Sequence, residues 1–89
     1  MKLYHITDRS RLPRIRLEGL QPTQGPYIYF WENLWVASKI APSWHEDPVI
    51  LAVTVAKDRV EKIDGTYGRW GRTRFDPERP LIPSEVIEP

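Results

Sequence analysis

The stretch VILAVTVA, residues 49–56, constrains this chain more than any other. It is a nearly continuous apolar run of strand length. A strand with one face in water would alternate apolar and polar residues, so a run of this kind reads as a central strand. Eighty-nine residues hold one domain, 1–89, and one core. A chain this short buries only about 60–65% of its unfolded surface, so packing or a partner has to secure it.

Around that run the sequence sorts into short elements. KLYHI, 2–6, suits a strand, and Thr7 and Asp8 stand ready to cap a helix after it. Leu12, Ile15 and Leu20 make a modest apolar stripe with Arg9, Arg11, Arg14 and Arg16 outside it. Pro13 is tolerated only in a first turn, so the helix is expected over 13–18, with Gly19 as its C-terminal cap. QPTQGP is a loop by composition, and YIYFW, 27–31, is the clearest strand. Asn33 can cap a second helix in which Leu34, Ala37, Ile40 and Ala41 share a face and which Pro42 ends. SWHEDP is a further loop. A strand over 59–63 closed by the turn signal Asp64–Gly65 follows the central run, and short strands are expected near 72–75 and 85–88. Helices early and strands late read as α+β: two short helices packed on small mixed or antiparallel sheets.

Several function classes drop out on composition. The chain has no cysteine, which excludes a disulfide scaffold, a thiolate metal site and a cysteine nucleophile, and makes the reduced cytoplasm the simplest compartment. No apolar run approaches the ~18 residues of a spanning helix, and the N-terminus lacks the apolar core of a signal peptide, so no membrane association is expected. A net charge of +1 makes no general case for nucleic acid. There is no Gly-rich phosphate loop, nucleophile elbow or helical metal motif. His45, Glu46 and Asp47 are of ligand type, but three adjacent residues do not readily surround one metal, and none is expected.

Four features carry chemistry. His5 sits near the end of the first strand; alone, such a histidine is commonly half-buried and hydrogen-bonded. In YIYFW, alternation sets Ile28 and Phe30 on one face and Tyr27, Tyr29 and Trp31 on the other; one set is core, the other a ligand wall or an interface. Trp44 and Trp70 fall in loops, where large apolar side chains need a partner. The arginines form two groups, residues 9, 11, 14 and 16 and residues 69, 72, 74 and 79. They read either as a solvated basic face or as a grip on phosphate, because the guanidinium fork matches phosphate oxygens. In the second group, Arg74 is the candidate cofactor-binding arginine. GRWGRTR also interleaves Arg, Gly and Trp in a way that suits stacking on a base.

LYHIT, a short helix ending in LEGL, and YIYFW opening a second helix together resemble the N-terminal half of small ADP-ribosyltransferase-fold proteins. The resemblance is to the branch that opens His-x-Thr, which includes RNA 2′-phosphotransferases and DarT-like DNA ADP-ribosylating proteins. LIPSEVIE is similar to the Ile-Pro-Pro-Glu-x-Ile ending of several such proteins. The resemblance implies a minimal ADP-ribosyltransferase-like fold with NAD, as substrate, in a cleft between two small sheets. It implies that His5 contacts a ribose hydroxyl, that the main chain at 6–7 faces the nicotinamide amide and that Thr7 adds a hydroxyl. It also implies that Tyr29, with Tyr27 as the alternative, stacks on nicotinamide. A late glutamate would steady the oxocarbenium-like ribose; among Glu78, Glu85 and Glu88, the candidate is Glu85.

The leading reading is therefore a domain that binds NAD or a related nucleotide and, if active, transfers ADP-ribose to nucleic acid or protein with loss of nicotinamide. A reading from another class is a non-catalytic, phage-encoded interaction protein that binds and inhibits a host protein through its loop tryptophans, Trp44 and Trp70. A third is an RNA or DNA binder acting through the arginine groups.

Overall fold

The apolar run becomes the strand Pro48–Thr54, in which residues 49–53 are all buried. A strand buried on both faces needs a layer on each, and the two helices with their loops provide them. The structure, a computed structural model, describes residues 1–65 and 70–89, and residues 68 and 69 through their backbone alone. It contains β1 (Lys2–Asp8), α1 (Leu12–Glu18), β2 (Tyr27–Trp31), α2 (Leu34–Trp44), β3 (Pro48–Thr54), β4 (Glu61–Gly65), β5 (Gly68–Arg74) and β6 (Glu85–Ile87). Short 3-10 turns stand at Arg9–Arg11 and Lys57–Arg59. The six strands form one antiparallel sheet in the order β4-β5-β2-β1-β3-β6, so the molecule is a small α+β domain.

The pairing along this sheet is uneven. β1 pairs with β3 along its whole length, from Lys2↔Thr54 to Asp8↔Pro48. β2 pairs with β5 from Tyr27↔Arg74 to Trp31↔Trp70. Between β1 and β2, however, a single register pair holds, Tyr4↔Trp31. The sheet is continuous in order, yet it consists of two half-sheets, β4-β5-β2 and β1-β3-β6, that part beyond that pair.

Directly opposed residues of neighbouring strands share a face. Trp31, Tyr4, Ala52 and Glu85 form one such row, on the side covered by α2, where Ile6 and Ile50 pack on Ala37 and Ala41. His5, Leu51 and Val86 lie on the other side, over the main core of Leu3, Ile15, Leu20, Phe30, Leu51 and Leu81. Phe30 is 1% exposed, and truncating a side chain buried this deeply costs about 3–5 kcal/mol.

Local chemistry sets the ends of the helices. Asp8 accepts from the Ser10 N–H and opens the 3-10 turn that leads into α1, and Pro13 occupies the first turn of α1. Gly19 closes α1 at φ 82°, a conformation that side chains with a Cβ resist. A Cβ there would also stand 3.1 Å from Pro80 Cβ, so the tail packs directly against this turn. Asn33 caps α2 by accepting from the N–H groups of Trp35 and Val36.

Four expectations shift. The helix α2 passes Pro42 and ends at Trp44, because a proline in the last turn removes one hydrogen bond while His45 N–H still reaches the Ala41 carbonyl at 3.2 Å. Trp44 is therefore helical. Trp70 lies on a strand, not in a loop, since β5 is longer than expected and starts at Gly68. Residues 57–59 coil as a 3-10 turn, with Val60 N–H on the Lys57 carbonyl, so β4 begins only at Glu61. Asp64 and Gly65 are the last pairs of the β4–β5 ladder, and residues 66–67, which follow that turn signal, lie outside the described residues.

Candidate functional site

In an antiparallel strand, alternate residues direct their N–H and C=O groups to opposite sides. Past Tyr4 the β2-facing groups of β1 meet no ladder, and the carbonyls of β2 on that side are left in the same position. One is claimed by a side chain: His5 Nδ1 stands 2.8 Å from the Tyr29 carbonyl oxygen. A carbonyl only accepts, so Nδ1 carries the proton, and in the neutral ring Nε2 is left as an acceptor.

At neutral pH that ring favours its neutral form. Burial, which penalises the charged form, pushes the His5 pKa below its ordinary 6.5. The hydrogen bond to Tyr29 opposes this, and the charges of His45 and Arg11 add to the depression. The ring also meets Phe30 edge-on, with centroids 5.7 Å apart at 60°.

The parted strands open into a cavity of about 530 Å³. His5, Thr7, Tyr27 and Tyr29 all line it, so four of the residues singled out in the sequence converge. Thr7 is buried at 3% exposure, and Tyr29 is 45% exposed, its ring tilted on Trp70 at 5.7 Å. The ring of Tyr29 lies on the Trp31 face of the sheet and that of His5 on the Phe30 face, so the two approach a ligand from opposite sides of the seam. Trp31 and Trp44 complete the tryptophan side, 6.2 Å apart.

Two of the singled-out residues do not come to this cavity. Arg74 is exposed and stands over the Tyr27 ring at 5.9 Å, behind Arg72 at 4.1 Å, but it faces a separate depression with Asp58 and Asp76. Glu85 lies on β6, two strands beyond β1 on the side away from β2, in an exposed ion pair with Lys2 at 3.7 Å. Its role as the catalytic carboxylate is not supported, because the register that joins Glu85 to Ala52 and Ala52 to Tyr4 fixes it outside the cleft. Among the described residues, no aspartate or glutamate lines the cavity.

Several of the lining residues were not placed in the cleft from the sequence, Arg11 among them. Trp44 and His45 arrive because α2 runs past Pro42, and Trp70 arrives by register opposite Trp31. Gln21 and Thr23 come from the loop between α1 and β2, which composition describes only as a loop. His45 is half-buried at the cavity, whereas its neighbour Asp47 turns away to Arg9, which separates the three ligand-type residues of that loop. Among the described residues, no three His, Cys, Asp or Glu side chains stand together as metal ligands.

No helix is long and apolar enough to cross a membrane among the described residues. A scan against protein-family models gives no match to this chain, and a search of curated proteins gives none either.

Proposed function

We propose that this chain is a minimal ADP-ribosyltransferase-like domain whose cleft binds NAD or a related nucleotide. The observation that carries the reading is the seam between β1 and β2, where a neutral His5 is fixed by the Tyr29 carbonyl at the mouth of an aromatic cavity. An acceptor nitrogen beside a planar stacking wall suits a ribose hydroxyl next to a heteroaromatic ring. The open edge of β1 at residues 6–7 offers main-chain groups to a carboxamide, and Thr7 adds a hydroxyl at the same wall.

The geometry supports binding more than transfer. Loss of nicotinamide leaves positive charge on the ribose, which a carboxylate has to steady, and the described residues bring none to the cavity. Calorimetric titration with millimolar NAD tests the binding reading. Wild type is expected to give heat and quenched tryptophan fluorescence. His5→Ala is expected to bind about tenfold more weakly, the worth of one hydrogen bond. Wild type that gives no heat sinks the proposal.

A second reading, an interaction protein directed at a host protein, rests on Trp35 and Trp44, which remain 68% and 57% exposed on α2. Retention of a host protein by wild type and its loss in Trp35→Ala and Trp44→Ala is the expected pattern. Retention indifferent to both substitutions counts against it.

A further inference from the structure

The cleft does not end at His5. A second cavity of about 500 Å³ adjoins the first and shares six residues with it: His5, Thr7, Arg11, Gln21, Pro22 and Thr23. The aromatic rings of β2 and β5 do not reach it; its own additions are Ser10, Arg14, Ile15 and Leu20 from the 3-10 turn, α1 and the residue after its cap. The two chambers thus meet at the histidine, one walled by rings and the other by a mixture of polar, basic and aliphatic residues.

Two arginines, Arg11 and Arg14, line the second chamber, and they differ in their freedom. Arg14 Nε is committed to Glu18 at 2.6 Å, and Arg9, outside the chamber on the same segment, to Asp47 and Glu88. Arg11 lines both chambers, is exposed, and has no carboxylate partner among the described residues. Its charge is near enough to His5 to help keep that ring neutral. An uncompensated guanidinium at the junction of two cavities that Gln21 and Thr23 also line is matched by an anion with several oxygens.

Resting on the nucleotide reading, we infer that Arg11, with Gln21 and Thr23 beside it, is the phosphate subsite of the cleft. The order of the chambers repeats the order of a nucleotide: rings for the base, His5 for the ribose, Arg11 for the phosphate. This moves the phosphate grip from Arg74, which faces away, to the first group of arginines. A terminal phosphate monoester and a bridging pyrophosphate offer the same oxygens, so both belong to this class.

Adenosine, AMP and NAD titrated into wild type, Arg11→Gln and the control Arg74→Gln test the subsite. In wild type and in Arg74→Gln, AMP or NAD is expected to bind about tenfold to a hundredfold tighter than adenosine, as hydrogen bonds to a charged group allow. That advantage is expected to shrink with added salt and to be lost in Arg11→Gln, while adenosine binds both proteins alike. AMP and NAD binding no tighter than adenosine to wild type, or an advantage undiminished in Arg11→Gln, overturns the subsite and leaves nucleotide binding standing. Failure of all three ligands to bind wild type overturns both. AMP favoured over NAD assigns the subsite to a terminal phosphate, and NAD favoured over AMP to a bridging one.

Discussion

His5 Nδ1 donates to the carbonyl of Tyr29 at 2.8 Å, across the gap where β1 and β2 have stopped pairing. One side chain does there what a strand ladder does elsewhere: it satisfies a main-chain acceptor. Because it acts from the side, it lets the two half-sheets part without leaving that acceptor bare. The same bond fixes the ring's tautomer and so decides which nitrogen a ligand meets.

Replacing His5 by Phe keeps a ring against Phe30 but removes the donor. The bond is partly open to solvent, so His5→Phe is expected to cost about 1 kcal/mol, near the middle of the net range for such bonds. Urea unfolding monitored by tryptophan fluorescence measures it. Stability equal to wild type would mean that the bond contributes nothing to closing the seam.

The charge of His5 gives a pH signature. Its folded pKa lies below the unfolded value of 6.5, chiefly through desolvation, so the native state binds a proton less readily than the unfolded chain. Stability is therefore complete above pH 6.5 and falls as pH drops from there through the folded pKa. An NMR titration is expected to place the midpoint of this ring below 6.5, with Nδ1 protonated throughout. A midpoint above 6.5 would reverse the sign.

Thr73 offers a gain. It is 1% exposed, and its Oγ1 has no hydrogen-bond partner among the described residues. An unsatisfied buried hydroxyl costs about 1–3 kcal/mol, and valine has nearly the same shape without it. Thr73→Val is expected to raise the thermal midpoint. A lower midpoint would show that the hydroxyl is satisfied in solution.

How much of this was legible in the sequence depends on which interactions are local. YIYFW and VILAVTVA announced their strands because period and burial are written in consecutive residues, and the Asn33 and Gly19 caps followed from single side chains. His5, Thr7, Tyr27 and Tyr29 come together in the sequence only through the resemblance of LYHIT and YIYFW to a known family, not through any local pattern, and they do line one cavity. Glu85 could not be placed. Its position is set by the pairing of β6 with β3 on the far side of β1, a long-range choice that no local pattern specifies. Arg11 looked like the other arginines of its segment, and only the positions of Asp47, Glu88 and Glu18 show which of them are engaged. Trp44 reads as a loop residue because proline usually breaks a helix, whereas here the His45 N–H still closes the last turn on the Ala41 carbonyl.

Gly71 tests the packing beneath β5. A Cβ at this position would lie 3.0 Å from Val60 Cγ1, closer than side chains normally approach. Gly71→Ala is expected to cost about 1–3 kcal/mol, the usual range for overpacking a buried site. In a double-mutant cycle, Val60→Ala should recover much of that loss, because the nearest contact is one of its methyl groups, the Glu61 carbonyl oxygen standing farther off at 3.4 Å. Additive effects would place the strain elsewhere.

Arg9 ties three distant parts of the chain together. Its guanidinium holds Asp47, in the loop before β3, at 3.2 Å and Glu88, just after β6, at 3.0 Å. Since β6 is three residues long and pairs only with β3, this clamp secures an element that its own ladder barely holds. Arg9→Ala is expected to speed amide exchange at residues 85–87 while leaving β3 protected, with a modest drop in thermal midpoint. The hydrogen bonds from Arg9 hold the Glu88 carboxyl below the usual 4.5, so the stability it adds is present above pH 4.5 and is lost as pH falls through the folded value. Both groups are exposed, so 1 M salt should remove most of the difference between wild type and Arg9→Ala. A difference unchanged by salt and by acid would mean that Arg9 holds the tail through the packing of its aliphatic stem, not through charge.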